Sequence, residues 1–160
     1  MQDYLKRIIK VLIRLQTVGG VLALAAIIIC NSLGIFFRYV LRDPFTWTEE
    51  LSVILFIWVV FLGATAAAGA KRHVVVDIIA DRVAKKNLAR IDILTRVISL
   101  GFLLILAYGG FQLIPMMNAH YSVALNVPKS FYYIPVTIFA CSMCLIIIDE
   151  ILDIGKTLHA

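Results

Sequence analysis

The chain has 160 residues, 62% of them hydrophobic, with a mean hydropathy of +0.96. Soluble domains stay closer to half apolar, so an ordinary water-soluble enzyme or nucleic-acid-binding domain is excluded at the outset. The net charge of +5 does not form a basic patch for nucleic acid, because the charges gather between long uncharged runs.

Those runs cover 15–37, 51–70, 97–119 and 130–148, and each holds 19 to 23 residues. At about 1.5 Å rise per residue, each spans a hydrocarbon core of about 30 Å as a helix. The expected fold is all-α: one domain, 1–160, with four transmembrane helices and short interfacial amphipathic helices. A soluble bundle would need polar helix faces, and "VLALAAIII" and "FLLILA" leave none. Residues 4–15, "YLKRIIKVLIRL", set Tyr4, Leu5, Ile8, Leu12 and Leu15 on one face and Lys6, Lys10 and Arg14 on another. This predicts an interfacial helix running into the first span. Gly19-Gly20 would permit either a kink or a close helix contact. The first run is too long for a signal-peptide core and ends in "FFRYVLRD" with no small-residue cleavage site, so it reads as a retained span.

The first span should end near Tyr39, with Pro44 discouraging helix at Asp43. The segment 71–96 is too polar to cross. Val76, Ile79, Ala80 and Val83 share one helical face there, which predicts a short helix at the membrane surface. The third span should reach Ile114. Pro115 and Pro128 then punctuate the return, and Pro135 falls in the first turns of the fourth span.

Lys and Arg alternate along the chain: four before the first span, two after it, seven between the second and third, one between the third and fourth, one in the tail. By the positive-inside rule, both termini and 71–96 should be cytoplasmic, with 38–50 and 120–129 outside.

The stretch "DPFTWTEELSVILFIW" (43–58) sets Glu49 and Glu50 against an apolar run. Thr46-x-x-Glu49 has capping-box spacing, acids in a first helical turn suit the helix dipole, and Trp47 suits the interfacial aromatic belt. Adjacent helical residues are about 100° apart. Glu49 can therefore close the cap while Glu50, on the face of Trp47 and Trp58, seeks a cation at similar depth. Arg38 is the expected partner. Asn31 is the strong polar group deep in the first span and can bond across helices for about 0.6–2 kcal/mol.

No nucleophile or metal-ligand set accompanies the two acids, so no catalytic role is expected. Cys141-x-x-Cys144 and Cys30 lie within apolar spans and read as structural thiols. His73 and His120 are expected at opposite membrane faces and cannot share a haem. No P-loop, His-Glu-x-x-His or Gly-x-Gly-x-x-Gly occurs, and no cofactor or metal is expected. No Asp, Glu, Lys or Arg lies within the four runs. A transporter or pump acting alone needs ionisable or unwound elements near the midplane.

The order Asn31, Arg38-Tyr39, Trp47, Glu49-Glu50, Trp58, Gly63-Ala64, then "HVVVDIIADRV" (73–83) and "NVPKSFYYIPV" (126–136), resembles the small membrane subunit of tripartite ATP-independent periplasmic (TRAP) transporters. The resemblance covers nearly the whole chain; "AKK" at 84–86 departs from it, standing where relatives often have proline. It implies a multi-pass scaffold subunit of a bacterial inner-membrane importer, sodium-coupled and secondary. Its partners would be a large multi-helix membrane subunit, a periplasmic solute-binding protein and membrane lipids. The cargo would be an organic acid such as a dicarboxylate, a sialic acid or another sugar acid. Asn31, Arg38, Trp47, Glu49, Glu50, Trp58, His73 and Asp77 are then structural or subunit-interface candidates. The rival readings are an independent four-helix transporter, which would need an embedded acid in an early helix, and a membrane anchor of a respiratory complex, which would need suitably placed histidines.

Overall fold

The computed structural model describes residues 2–42, 45–70 and 85–159. Helix α1 (Gln2–Phe36) continues into a π-helical turn (Phe37–Leu41), and α2 (Thr46–Ala70) runs back beside it. Helix α3 (Lys85–Met117) leads to a compact loop and a 3₁₀ turn (Lys129–Tyr132), then α4 (Ile134–His159). All four helices are long and apolar enough to cross a membrane. Four crossings bring the chain back to its starting side. We call the end with 37–46 and 118–130 the loop end, and the opposite one the terminal end.

Gly19-Gly20 makes a close contact rather than a kink. Helix α1 is continuous there, and a Cβ on Gly20 would lie 3.6 Å from Leu62. The α1–α2 register is set by Gly34 against Thr48, Gly20 against Leu62, and Ile13 against Gly69. At Gly69 a Cβ would come within 2.6 Å of the Ile13 side chain. Small residues let the backbones approach where lipid supplies no hydrophobic drive to associate. The α3–α4 pair uses the same device: a Cβ on Gly110 would overlap the Thr137 hydroxyl at 2.1 Å.

Helix α4 is the central one. It touches each of the other three, and 39% of its apolar span is enclosed against 6% for α1. The principal core joins Leu103 and Ala107 of α3 to Ala140, Cys144 and Ile147 of α4. Hydroxyls in the spans bond back to their own helix, Thr65 to the Phe61 carbonyl at 3.3 Å and Thr137 to the Tyr133 carbonyl at 3.1 Å. This satisfies them without water.

The amphipathic 4–15 segment runs into the first span as the start of α1, as expected. Two boundaries differ from expectation. Residues 85–96, expected in the polar connection, are helical and form the first turns of α3. Helix α3 also runs through Pro115 to Met117. Pro115 has no N–H to offer the Phe111 carbonyl and its ring crowds that carbonyl, so the helix carries this disruption only two residues before it ends. The surface helix expected around 76–83 lies outside the described residues.

Candidate functional site: the acid pair at the loop end

The π turn ends at Arg42, whose left-handed backbone (φ 54°) directs its N–H to the Phe37 carbonyl. The chain then reverses into α2, which begins at Thr46. Thr46 is therefore the first helical residue, not the cap, and the expected capping box does not form. Thr48, in the same turn, instead donates its hydroxyl to the Phe45 carbonyl at 2.8 Å. Phe37, Phe45 and Trp47 stack in series, with ring centroids 4.3 and 5.7 Å apart.

The structure gives both acids partners other than those expected. Arg38 forms its ion pair with Glu49, not with Glu50. The pair is open to the surroundings, with side chains 51% and 72% exposed. The reason is angular: Glu49 points along the α1–α2 seam, whereas Glu50 faces the loop between α3 and α4. There one carboxylate oxygen of Glu50 accepts two consecutive backbone amides, Ala124 and Leu125, both at 2.9 Å. Successive N–H groups aimed at one anion form a small concave nest.

The loop is built to present those amides. Ser122 N–H donates to the Val127 carbonyl at 2.9 Å and Lys129 N–H to the His120 carbonyl at 2.7 Å, bracketing a bridge between Tyr121 and Pro128. Asn126 takes the left-handed conformation (φ 52°), which asparagine tolerates better than most residues. The Ser122 hydroxyl accepts the Val127 N–H at 3.2 Å, and Ser130 donates to the Asn118 side-chain oxygen at 3.2 Å. The turn closes on itself except at its tip, where Glu50 completes it.

The other candidates divide. The Asn31 side-chain oxygen lies 2.8 Å from the Ser52 hydroxyl, which is also 2.8 Å from the Thr48 carbonyl; one hydroxyl proton serves one acceptor at a time. Trp47 joins the aromatic series, and Trp58 is half-buried on α2. His73 and Asp77 lie outside the described residues.

Two polar ties carried no motif. At the terminal end Arg96 pairs with Glu150, joining α3 to α4. Buried Gln16 donates its amide to Ser142 at 2.5 Å, joining α1 to α4. The signal for the first was depth: Arg96 and Glu150 bound neighbouring apolar runs on the same expected side. Gln16 gave no comparable signal. Among the described residues no cluster of three His, Cys, Asp or Glu side chains could hold a metal.

Long apolar helices, small-residue seams, and polar ties between helices and from helix to loop define a multi-pass membrane protein assembled by packing. The family profile described as "Tripartite ATP-independent periplasmic transporters, DctQ component" matches residues 25–156. The chain is 30% identical over 130 residues to a Haemophilus influenzae protein named as a TRAP transporter small permease protein, covering 79% of this chain and 78% of that one. It is 27% identical over 109 residues to the sialic acid TRAP transporter small permease protein SiaQ of Vibrio cholerae, covering 65% and 62%. The chain belongs to the DctQ family of TRAP transporter small permease components, proteins of the inner membrane.

Proposed function

We propose that this subunit is a non-catalytic scaffold in a sodium-coupled secondary importer of organic acids. It works with a large membrane subunit and a periplasmic solute-binding protein. The observation that carries this reading is the charge-free interior of all four runs. A chain that moved a charged solute by itself would need ionisable or unwound elements at midplane. The exposed apolar surface of α1, including Leu15, Val18, Leu22 and Ile29, suits a helix covered by lipid on one side and a partner on another. The sialic acid specificity named for the Vibrio cholerae relative is one member of the cargo class proposed here.

The test is reconstitution. This chain alone in proteoliposomes should take up no organic acid, and sodium-dependent uptake should appear only with the large subunit and the binding protein. Robust uptake by this chain alone would overturn the reading. Orientation is tested separately, with both termini and the 71–96 segment cytoplasmic. Cysteines introduced near 43 and 123 should be labelled from the periplasm in intact cells, and one at 86 should not. Labelling at 86 would invert the topology.

A further inference from the structure

Two grooves meet on the loop-end half of the molecule. One, of about 480 Å³, is lined by Ile57 and Phe61 of α2 and by Lys129, Tyr132, Tyr133 and Val136. The other, of about 370 Å³, lies between α3 and α4, against Phe102, Leu106, Gly109 and Leu113. Tyr133 and Val136 belong to both, so the grooves run down either side of one shared ridge. The walls are apolar. The cation is Lys129 at the lip, beside the Tyr132 ring, and among the described residues no carboxylate reaches its ammonium.

The first groove is about one leaflet deep, and the second reaches past the midplane. From Glu50, level with the loop, to Phe61 is eleven residues of α2, or about 16 Å at 1.5 Å per residue. From Met117 to Phe102 is fifteen residues of α3, about 22 Å by the same rise. Half of a hydrocarbon core of about 30 Å is about 15 Å. Gly109 opens the second groove, since a Cβ there would meet nothing within 4 Å, while neighbouring Gly110 is packed against Thr137. The recess is therefore a gap beside a tight helix contact.

We infer that this double groove is a binding site for one two-chain phospholipid, its phosphate on Lys129 and its acyl chains on either side of the Tyr133–Val136 ridge. A cation lining the first of two adjoining apolar channels, each at least one leaflet deep, complements an anionic phosphate above two hydrocarbon tails. A partner helix would need neither the cation nor the division into two channels. The inference does not depend on transport, because lipid retention is read without an uptake assay.

The test uses the subunit purified from membranes with its large partner, stripped of lipid in detergent and then given phosphatidylethanolamine or, separately, diacylglycerol, which has the chains without the phosphate. Native mass spectrometry counts retained molecules. Wild type should keep one more phosphatidylethanolamine per small subunit than Gly109→Leu or Val136→Trp, each of which fills a channel. It should hold phosphatidylethanolamine about fivefold better than diacylglycerol, and Lys129→Gln should erase that preference. Equal retention of the two lipids by wild type would overturn the phosphate contact. Unchanged counts in both channel-filling variants would overturn the site. So would loss of the large subunit from those variants with lipid counts unchanged, because a partner helix would then be the occupant.

Discussion

The two ends of the molecule each carry an Arg–Glu pair between antiparallel helices, and the pairs are not equivalent. At the loop end Arg38 and Glu49 stand open, their side chains more than half exposed; at the terminal end Arg96 and Glu150 are 17% and 23% exposed. An open pair loses nearly as much hydration and rotamer freedom as it gains in attraction. An enclosed pair makes each charge dependent on the other, because neither recovers water when its partner is removed. Similar chemistry therefore decorates one hairpin and locks the other.

The largest effect is expected at the enclosed pair. Arg96→Gln or Glu150→Gln should destabilise the purified protein by about 2–4 kcal/mol, read from thermal or denaturant unfolding in detergent. The double variant should cost less than the sum of the singles. Additive losses would place the two charges out of contact and remove the contrast between the ends.

Glu50 comes next. Glu50→Gln keeps an acceptor but loses the charge that strengthens its bonds to Ala124 and Leu125. Hydrogen exchange at those two amides should quicken by about tenfold, while amides in the middle of α2 should be unaffected. A uniform increase across α2 would mean that Glu50 supports the helix and not the loop.

A third expectation concerns Gln16. Gln16→Leu alone leaves Ser142 free to bond its own helix, so the loss should stay within about 1–2 kcal/mol. Adding Ser142→Ala should cost little more, since both polar groups are then gone. A Ser142→Ala single variant is the harsher test, because it strands the buried Gln16 amide. If it is the mildest of the three, the contact contributes nothing.

The smallest effect belongs to Arg38 and Glu49. Either neutralisation should change stability by no more than about 1 kcal/mol, and the exchange of Arg38→Glu with Glu49→Arg should recover most of it. If Arg38 couples more strongly to Glu50 than to Glu49 in a double-mutant cycle, the two acids hold each other's roles.

The spans were legible because hydropathy and the spacing of charges report directly on length in a bilayer, and the family was legible from the residues at span edges. What the sequence hid was pairing between acids and their partners. Glu49 and Glu50 differ by one position and about 100° of helix, so either could meet Arg38 until the angle between α1 and α2 was known. The true partners of Glu50 are backbone amides, which every residue but proline possesses and no letter marks. Gln16 and Ser142 were hidden for another reason: uncharged polar residues are common at helix contacts in membranes, and nothing in either run points to the other. Arg96 was placed in a polar connection because charge alone set the boundary, whereas the helix begins at Lys85 and runs through it.

The bond from Glu50 to Ala124 and Leu125 crosses 74 and 75 residues of chain, which gives it a place in time as well as in space. A ribosome adding about 5–20 residues per second makes Glu50 roughly 4–15 s before the amides that receive it. Throughout that interval the second span must be threaded and held with its acid at the lipid boundary, served by water. The contact can form only when the third span has crossed and the loop behind it has turned. Closure at Glu50 is thus a late event in biogenesis, a mark that the second half of the protein has arrived beside the first.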